Sequence, residues 1–349
     1  MEKSLVRENR PGSMSESFSI GVDLGGTNLR VAAYREQVGI VDSVLLPTRL
    51  SLGPNQIVQD MCDAVRTLTE RTEGTLSGIG IGSPGPLGLP AGILRNPPNL
   101  RGWDGFHLRA AIESELGRTA ALESDANLAA LAEWKLGAGL KYGVDNLCVL
   151  TLGTGVGSGL ILHGSVWSGF NGMGGEAGHI IVKKAGAPCG CGGSGCLEQY
   201  ASATAVVRMA GEHMGESAPD SAHELALLAR NGNQLAQIVF NEVGFSLAIA
   251  LTALINTLNL PLYLLGGGVS EAWDLFAPTM FQHLHSRNYV YRLTEPQVIA
   301  PARLERNKTY ILPAELAPTA GLLGACLLGL EESSRVQSSK SNQYMSECI

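Results

Sequence analysis

A 349-residue chain with net charge −7 and no basic block excludes a lysine- and arginine-built face for nucleic acid, and it is long enough for two domains, each with its own core. Its seven cysteines are odd in number, and four of them lie scattered, which fits a reducing compartment better than a disulfide framework. Residues 1–17 lack an apolar central run, so no signal peptide is expected and the chain reads as cytoplasmic, without a membrane partner.

Residues 1–17 and 332–349 are polar, Ser-rich and aperiodic and are predicted to be disordered tails. Residues 18–24 form an apolar strand ending in Asp23; Gly25-Gly26-Thr27 turns the chain and 29–34 returns as a second strand, with a third at 39–47. Apolar residues at 57, 58, 61, 64, 65 and 68 predict a helix over 55–71. A buried strand at 77–82 leads into the rigid turn Ser83-Pro84-Gly85-Pro86, and a Pro/Asn-rich loop over 96–104 precedes a helix at 107–116. A short strand at 120–124 ends where a helix over 126–137 begins.

The layout then restarts. A strand at 146–152, a glycine turn at 153–158 and a return strand at 159–163 repeat the plan of residues 18–34, which suggests a duplicated architecture with a cleft between its halves. The chain is expected to be mostly helical up to Leu260, with the apolar run 246–268 read as a buried helix followed by a buried strand. Gly266-Gly267-Gly268 then opens a helix near Ser270, a strand is predicted at 309–313, and a closing helix over 319–330.

Asp23-Leu24-Gly25-Gly26-Thr27-Asn28 joins two strands by a tight turn. Such a turn is either an ordinary glycine hairpin or a loop whose N–H groups and threonine hydroxyl meet a phosphate, with Asp23 near its metal. Gly153-Thr154-Gly155-Val156-Gly157 is a second loop of this kind. It joins strand to strand, which argues against a dinucleotide fingerprint. Gly267-Gly268-Val269 suits the nucleoside end of a nucleotide or a plain strand-to-helix turn. Ser124-Asp125-Ala126-Asn127 places a carboxylate where a helix starts, which makes Asp125 an N-cap or a general base acting on a hydroxyl.

The stretch 172–200 (GMGGEAGHIIVKKAGAPCGCGGSGCLEQY) carries His179, Cys189, Cys191 and Cys196, the ligand set of a closed tetrahedral structural zinc site. Glycines 190, 192, 193 and 195 let the hairpin fold tightly enough to aim three sulfurs at one point. Zinc there would hold shape, fixing Glu176, His179 and Glu198 relative to one another.

These motifs in this order resemble the ROK sugar-kinase family, above all its bacterial ATP-dependent glucokinases: D-x-G-G-T, G-I-G-x-P-G, N-L-x-G-W, D-A-N, G-T-G-x-G, and E-x-G-H followed by C-x-C-G-x-x-G-C-L-E. The resemblance covers about residues 18–330. It implies an α/β, actin/hexokinase-like (ribonuclease H-like) two-domain fold with a central cleft. One domain would comprise residues 18–124 plus the closing helix at about 318–331; the other would comprise 125–317, including the zinc segment 179–196. It implies further that Asp125 deprotonates the sugar 6-hydroxyl, and that Ser83, Asn99, Ser124, Glu176, His179 and Glu198 bind the hexose. Asp23, Gly25, Gly26, Thr27, Asn28, Thr154 and Gly155 would hold Mg²⁺ and the ATP phosphates, with Gly267, Gly268 and Val269 along the nucleoside. A homodimer is implied as well. Three departures stand out: Ser124 where most family kinases have Asn, Met173-Gly174 in place of a small pair, and Arg101 where Pro is common. The other activities that the family admits are an N-acetylhexosamine kinase and a sugar-responsive repressor. A repressor would need a helix-turn-helix segment ahead of Phe18, and the 17 residues there are too few for one.

Overall fold

The computed structural model describes residues 17–298 and 301–332; of the expected tails, Ser17 belongs to the first strand and Glu332 to the last helix, and the rest lie outside the described residues. In chain order the first half runs β1 (Ser17–Leu24), β2 (Asn28–Arg35), β3 (Gly39–Pro47), α1 (Pro54–Arg71), β4 (Thr75–Ser83), β5 (Leu87–Gly88), β6 (Ile93–Leu94), α2 (Leu108–Leu116) and β7 (Ala121–Ser124). Then come α3 (Asp125–Lys135), α4 (Ala138–Tyr142), β8 (Leu147–Leu152), β9 (Val156–Leu162) and β10 (Ser165–Val166). Helices α5 (Glu198–Ala201), α6 (Ala203–Met214), α7 (Ala222–Arg230) and α8 (Gln234–Leu258) precede β11 (Leu262–Gly266), α9 (Trp273–Arg287), α10 (Tyr289–Thr294) and β12 (Tyr310–Pro313). A last helix, α11, covers 320–332.

The duplication read from the two glycine hairpins is present in the sheets. The first sheet has the order β3-β2-β1-β4-β7 and the second β10-β9-β8-β11-β12, the same connectivity twice. In each, an antiparallel hairpin (β1–β2, β8–β9) is followed by strands added in parallel, β4 then β7 and β11 then β12. Parallel strands buried on both faces need near-continuous apolar sequence, and β11, LYLLG, is buried at every position. One departure concerns the second hairpin. The turn is only Gly153–Gly155, and β9 starts at Val156, because Gly157 and Gly159 pair as strand with Thr151 and Val149.

Each sheet has its own core. Phe18, Ile20, Val22, Ile57, Met61, Leu68 and Trp103 fill the first, between sheet and α1–α2. Leu150, Leu152, Phe240, Leu247, Leu251, Phe276 and Met280 fill the second, under α8 and α9. Among the described residues α8 is the one helix long and apolar enough to span a membrane; it belongs to this core, as the sequence reading expected.

The chain crosses between the sheets at α3 and again through the segment after β12. Glycines make both crossings tight: a Cβ on Gly159 would sit 2.3 Å from the Ala126 oxygen, where α3 lies on β9. A Cβ on Gly324 would sit 1.9 Å from the Leu128 oxygen, where α11 meets α3. Glu133 of α3, fully buried, accepts from the Leu316 amide at 2.7 Å and from the Ala138 amide at 3.2 Å, tying the two crossings together.

Candidate active site

Between the sheets lies a cleft of ≈ 590 Å³, within the ~300–1,000 Å³ usual for small-molecule sites. Both glycine hairpins line it. In the first, Gly25 N–H donates to the Asn28 oxygen at 2.9 Å. Thr48, just past β3, braces the turn: its hydroxyl donates to the Gly25 oxygen at 2.7 Å and its amide to the Thr27 oxygen at 2.7 Å. Gly26 abuts the 96–104 loop, since a Cβ there would sit 3.3 Å from the Asn99 oxygen. In the second hairpin, Gly153 N–H donates to the Gly155 oxygen at 2.9 Å. The start of α6 braces it: the Ala203 amide donates to the Gly153 oxygen at 2.8 Å and the Thr204 hydroxyl to the Thr154 oxygen at 2.9 Å.

β1 and β7 flank β4, in register Asp23–Gly82 and Ser83–Ser124, which brings Asp23 and Asp125 to the same end of the first sheet. Asp23 lies 3.1 Å from Arg30 Nε; burial raises its pKa, and the Arg30 charge opposes that rise. Ser124 is the N-cap of α3, its hydroxyl accepting from the Asn127 amide at 3.2 Å. Asp125 therefore stands as the first helical residue, free of the capping role, with Oδ1 accepting from the Ala126 amide at 2.7 Å. Burial pushes the Asp125 carboxyl up to about 7, with the Asp23 and Glu176 charges adding and the Ala126 hydrogen bond opposing.

At the other end of the cleft, the Ser158 hydroxyl on β9 accepts from the Ala177 amide at 3.0 Å and donates to the Gly175 oxygen. This holds Glu176 at the start of a single 3₁₀ turn that ends in His179. Burial raises the Glu176 pKa; His179 lowers it and Glu198 raises it.

The metal-ligand reading is met by geometry. The donor atoms of His179, Cys189, Cys191 and Cys196 all lie within 4.8 Å of one another. Cys191 and Cys196 sulfurs are 3.7 Å apart, against about 3.8 Å for two thiolates on a tetrahedral zinc with Zn–S near 2.3 Å. His179 Nδ1 is 3.6 Å from the Cys189 sulfur, so Nδ1 is the ring atom on the cluster and Nε2 the one toward Glu176, at 4.0 Å. With no cation, burial and the neighbouring thiols push the Cys196 thiol up to about 12, so it would take a positive ion beside it to hold it as the thiolate. The residues fit zinc. Glu198 links this cluster to the second hairpin: Oε1 lies 4.0 Å from the Cys189 sulfur and Oε2 accepts from the Val156 amide at 3.0 Å.

Of the expected site residues, Asp23, Gly25, Gly26, Thr27, Asn99, Ser124, Asp125, Thr154, Gly155, Glu176, His179, Glu198 and Gly267 line the one cleft. Four do not. Asn28 closes the turn with its carbonyl. Ser83 is fully buried, its hydroxyl donating to the Pro84 oxygen at 3.2 Å. Gly268 and Val269 turn away from the cleft, Val269 into the second core. Three features went unread in the sequence: Arg30, Glu133 and the 314–321 segment all line the cleft. The first two had a signal, a charge in the middle of an otherwise apolar strand and an acid deep inside an alanine-rich helix; the third had none.

Two sheets of equal connectivity around a cleft with paired glycine hairpins define the actin/hexokinase-like class of fold. Residues 19–332 match the ROK family, and the chain belongs to that family. It is 35% identical over 289 residues to a glucokinase of Halalkalibacterium halodurans, covering 78% of this chain and 87% of that one. Its fold matches the ROK hexokinase of Thermus thermophilus with a TM-score of 0.74 at 30% identity, over 91% of this chain and 99% of the other. A ROK family glucokinase of Streptomyces griseus, solved in complex with glucose and AMPPNP, matches with a TM-score of 0.73 at 29% identity, over 90% and 99%.

Proposed function

We propose that this protein is an ATP-dependent hexose kinase that phosphorylates the 6-hydroxyl of glucose. The observation that carries the reading is the meeting of Asp125, raised toward neutrality, with two glycine hairpins and the Glu176–His179 turn in one cleft. It is supported by the S. griseus relative, a glucokinase solved with glucose and an ATP analogue.

In this reading the Asp125 carboxylate takes the proton from the sugar 6-hydroxyl as that oxygen attacks the γ-phosphorus and the bond to the β-phosphate oxygen breaks. The turns at Gly26–Thr27 and Thr154–Gly155 offer backbone N–H groups to the phosphate oxygens, and Gly267 lies along the nucleoside. Asp23 would hold Mg²⁺, which would supply positive charge to the phosphates. Asn99, Glu176, Glu198 and His179 Nε2 orient the remaining sugar hydroxyls; zinc, which His179 and the three cysteines would hold, would keep that ring in place. Ser124 contributes its short hydroxyl, already engaged as the helix cap, where a longer amide would reach the sugar. The two sheet lobes act as domains that close on α3 and the 314–319 segment, so that sugar and not water receives the phosphoryl group.

The test is ADP release with Mg-ATP over glucose, mannose, fructose, N-acetylglucosamine, N-acetylmannosamine and a blank, wild type beside Asp125→Asn. Glucose-driven turnover that Asp125→Asn abolishes is the expected result. Turnover driven by an N-acetylhexosamine alone replaces glucose as the substrate, and no turnover above the blank overturns the kinase assignment.

A further inference from the structure

Glu123 is a buried carboxylate for which the reaction above has no use. It sits on β7 two residues before Asp125, paired in register with Gly82. Three donors converge on it. Oε1 accepts from the Ser124 amide at 2.8 Å and from Asn127 Nδ2 at 3.0 Å, both in the corner where β7 becomes α3. Oε2 accepts from the Ser168 hydroxyl at 2.6 Å. A carboxylate spanning two structural segments in this way joins them through charge-assisted hydrogen bonds, the stronger kind.

Ser168 belongs to a different part of the chain. Trp167 N–H, just past β10, donates to the Leu160 oxygen at 2.9 Å, and Gly174 N–H donates to the Ser168 oxygen at 2.9 Å, closing the loop 168–174 at its base. Its far side reaches the first lobe, where Leu89 N–H donates to the Asn171 oxygen at 2.9 Å. Gly172, Gly174 and Gly175 of this stretch line the cleft directly ahead of Glu176. The loop has little apolar anchorage of its own: Phe170 is fully exposed, and Trp167 and Met173 are partly so. Its base is fixed to the catalytic corner by one side-chain bond, Ser168 to Glu123.

We infer that Glu123 is a positioning residue for sugar recognition, holding the 168–174 loop through Ser168 so that the wall before Glu176 stays in register with Asp125. The inference rests on the hexose-kinase reading. Its consequence is a division of labour on one carboxylate: one oxygen organises the corner carrying the base, the other the loop against the sugar.

Ser168→Ala deletes only the loop-side bond, and Ser168→Thr keeps the hydroxyl. In steady-state kinetics the alanine variant is expected to raise the KM of the preferred hexose about tenfold, while kcat and the KM of ATP stay within about twofold; the threonine variant restores it. Glu123→Ala combined with Ser168→Ala should cost no more in sugar KM than Glu123→Ala alone, since the pair shares one bond. A readout free of any substrate is amide hydrogen exchange in the ligand-free protein, expected to quicken at 169–174 in Ser168→Ala and not in α8. An unchanged sugar KM with wild-type turnover intact overturns this inference and leaves the kinase reading standing, as does unchanged exchange at 169–174. A wild type that phosphorylates no hexose overturns both.

Discussion

Asp23 on β1 and Asp125, just past β7, stand at the same end of one sheet on either side of β4, and the charge on Asp23 helps hold the proton on Asp125. Burial is the larger cause of the Asp125 shift. The two acids have different surroundings, as the proposed reaction requires: Asp23 has Arg30 at 3.1 Å to favour its charge, whereas Asp125 has no described cation within an ion-pair contact. Pairs of acids whose surroundings separate their proton affinities mark acid–base assignments.

A pH dependence follows, in activity and in stability. A base must be ionised to accept a proton, so kcat/KM should rise with pH through about 7 and level off above it. For stability the sign reverses. An unfolded aspartate ionises near ~4, whereas Asp125 in the fold ionises near about 7. As pH rises between these values the unfolded chain loses its proton first, so this group's contribution to stability falls, fully by above 7. Asp125→Asn should therefore be inactive yet gain in melting temperature over wild type as pH goes from 5 to about 8. A variant whose melting temperature tracks wild type at every pH would refute the raised pKa.

Metal removal should reach the second hairpin. Cys196→Ser breaks a cluster whose donors lie within 4.8 Å, and Glu198 is the side chain between that cluster and the Val156 amide. The expected outcome is one zinc per chain in wild type by elemental analysis and none in the variant, with a loss of melting temperature. The KM of ATP should rise with that of the sugar, because Glu198 braces a loop proposed for phosphate. A rise confined to the sugar would dissociate Glu198 from the second hairpin.

Local pattern made most of this molecule legible. The spacing of apolar residues in 55–71 gave α1, and two strand-turn-strand segments gave the two sheets with their common connectivity. Asp125 shows where pattern stops. A carboxylate at a strand-to-helix junction reads equally as cap or base, and only the position of the Ser124 hydroxyl, on the Asn127 amide, takes the capping role from it. Arg30 and Glu133 were missed for a related reason: each acts on a partner fixed by tertiary structure, Asp23 across a hairpin and Leu316 at the far end of the chain. Gly268 and Val269 were drawn toward the nucleotide by their neighbour Gly267, whose φ of +86° turns the backbone there and sends Val269 into the core.

Glycines give the sharpest contrast between crowded and open backbone. A methyl on Gly155 would meet Glu198 Oε2 at 2.4 Å, the oxygen that accepts from Val156. The carboxylate must move, and with it the brace on the second hairpin. Gly155→Ala should thus raise the KM of ATP about tenfold or more with little change in melting temperature, since the obstacle is the end of a side chain. Gly324→Ala should do the reverse. Its methyl would lie 1.9 Å from the Leu128 backbone oxygen, so α11 must shift off α3, at a cost of about 3 kcal/mol in stability. Gly211 lies in α6 with nothing within 4 Å of an added methyl, and Gly211→Ala should stabilise the fold by about 0.5–1 kcal/mol. Chemical denaturation of the three variants beside ATP kinetics checks the ordering. A Gly324→Ala protein as stable as wild type would mean that the helix contact at the lobe crossing is looser than its geometry.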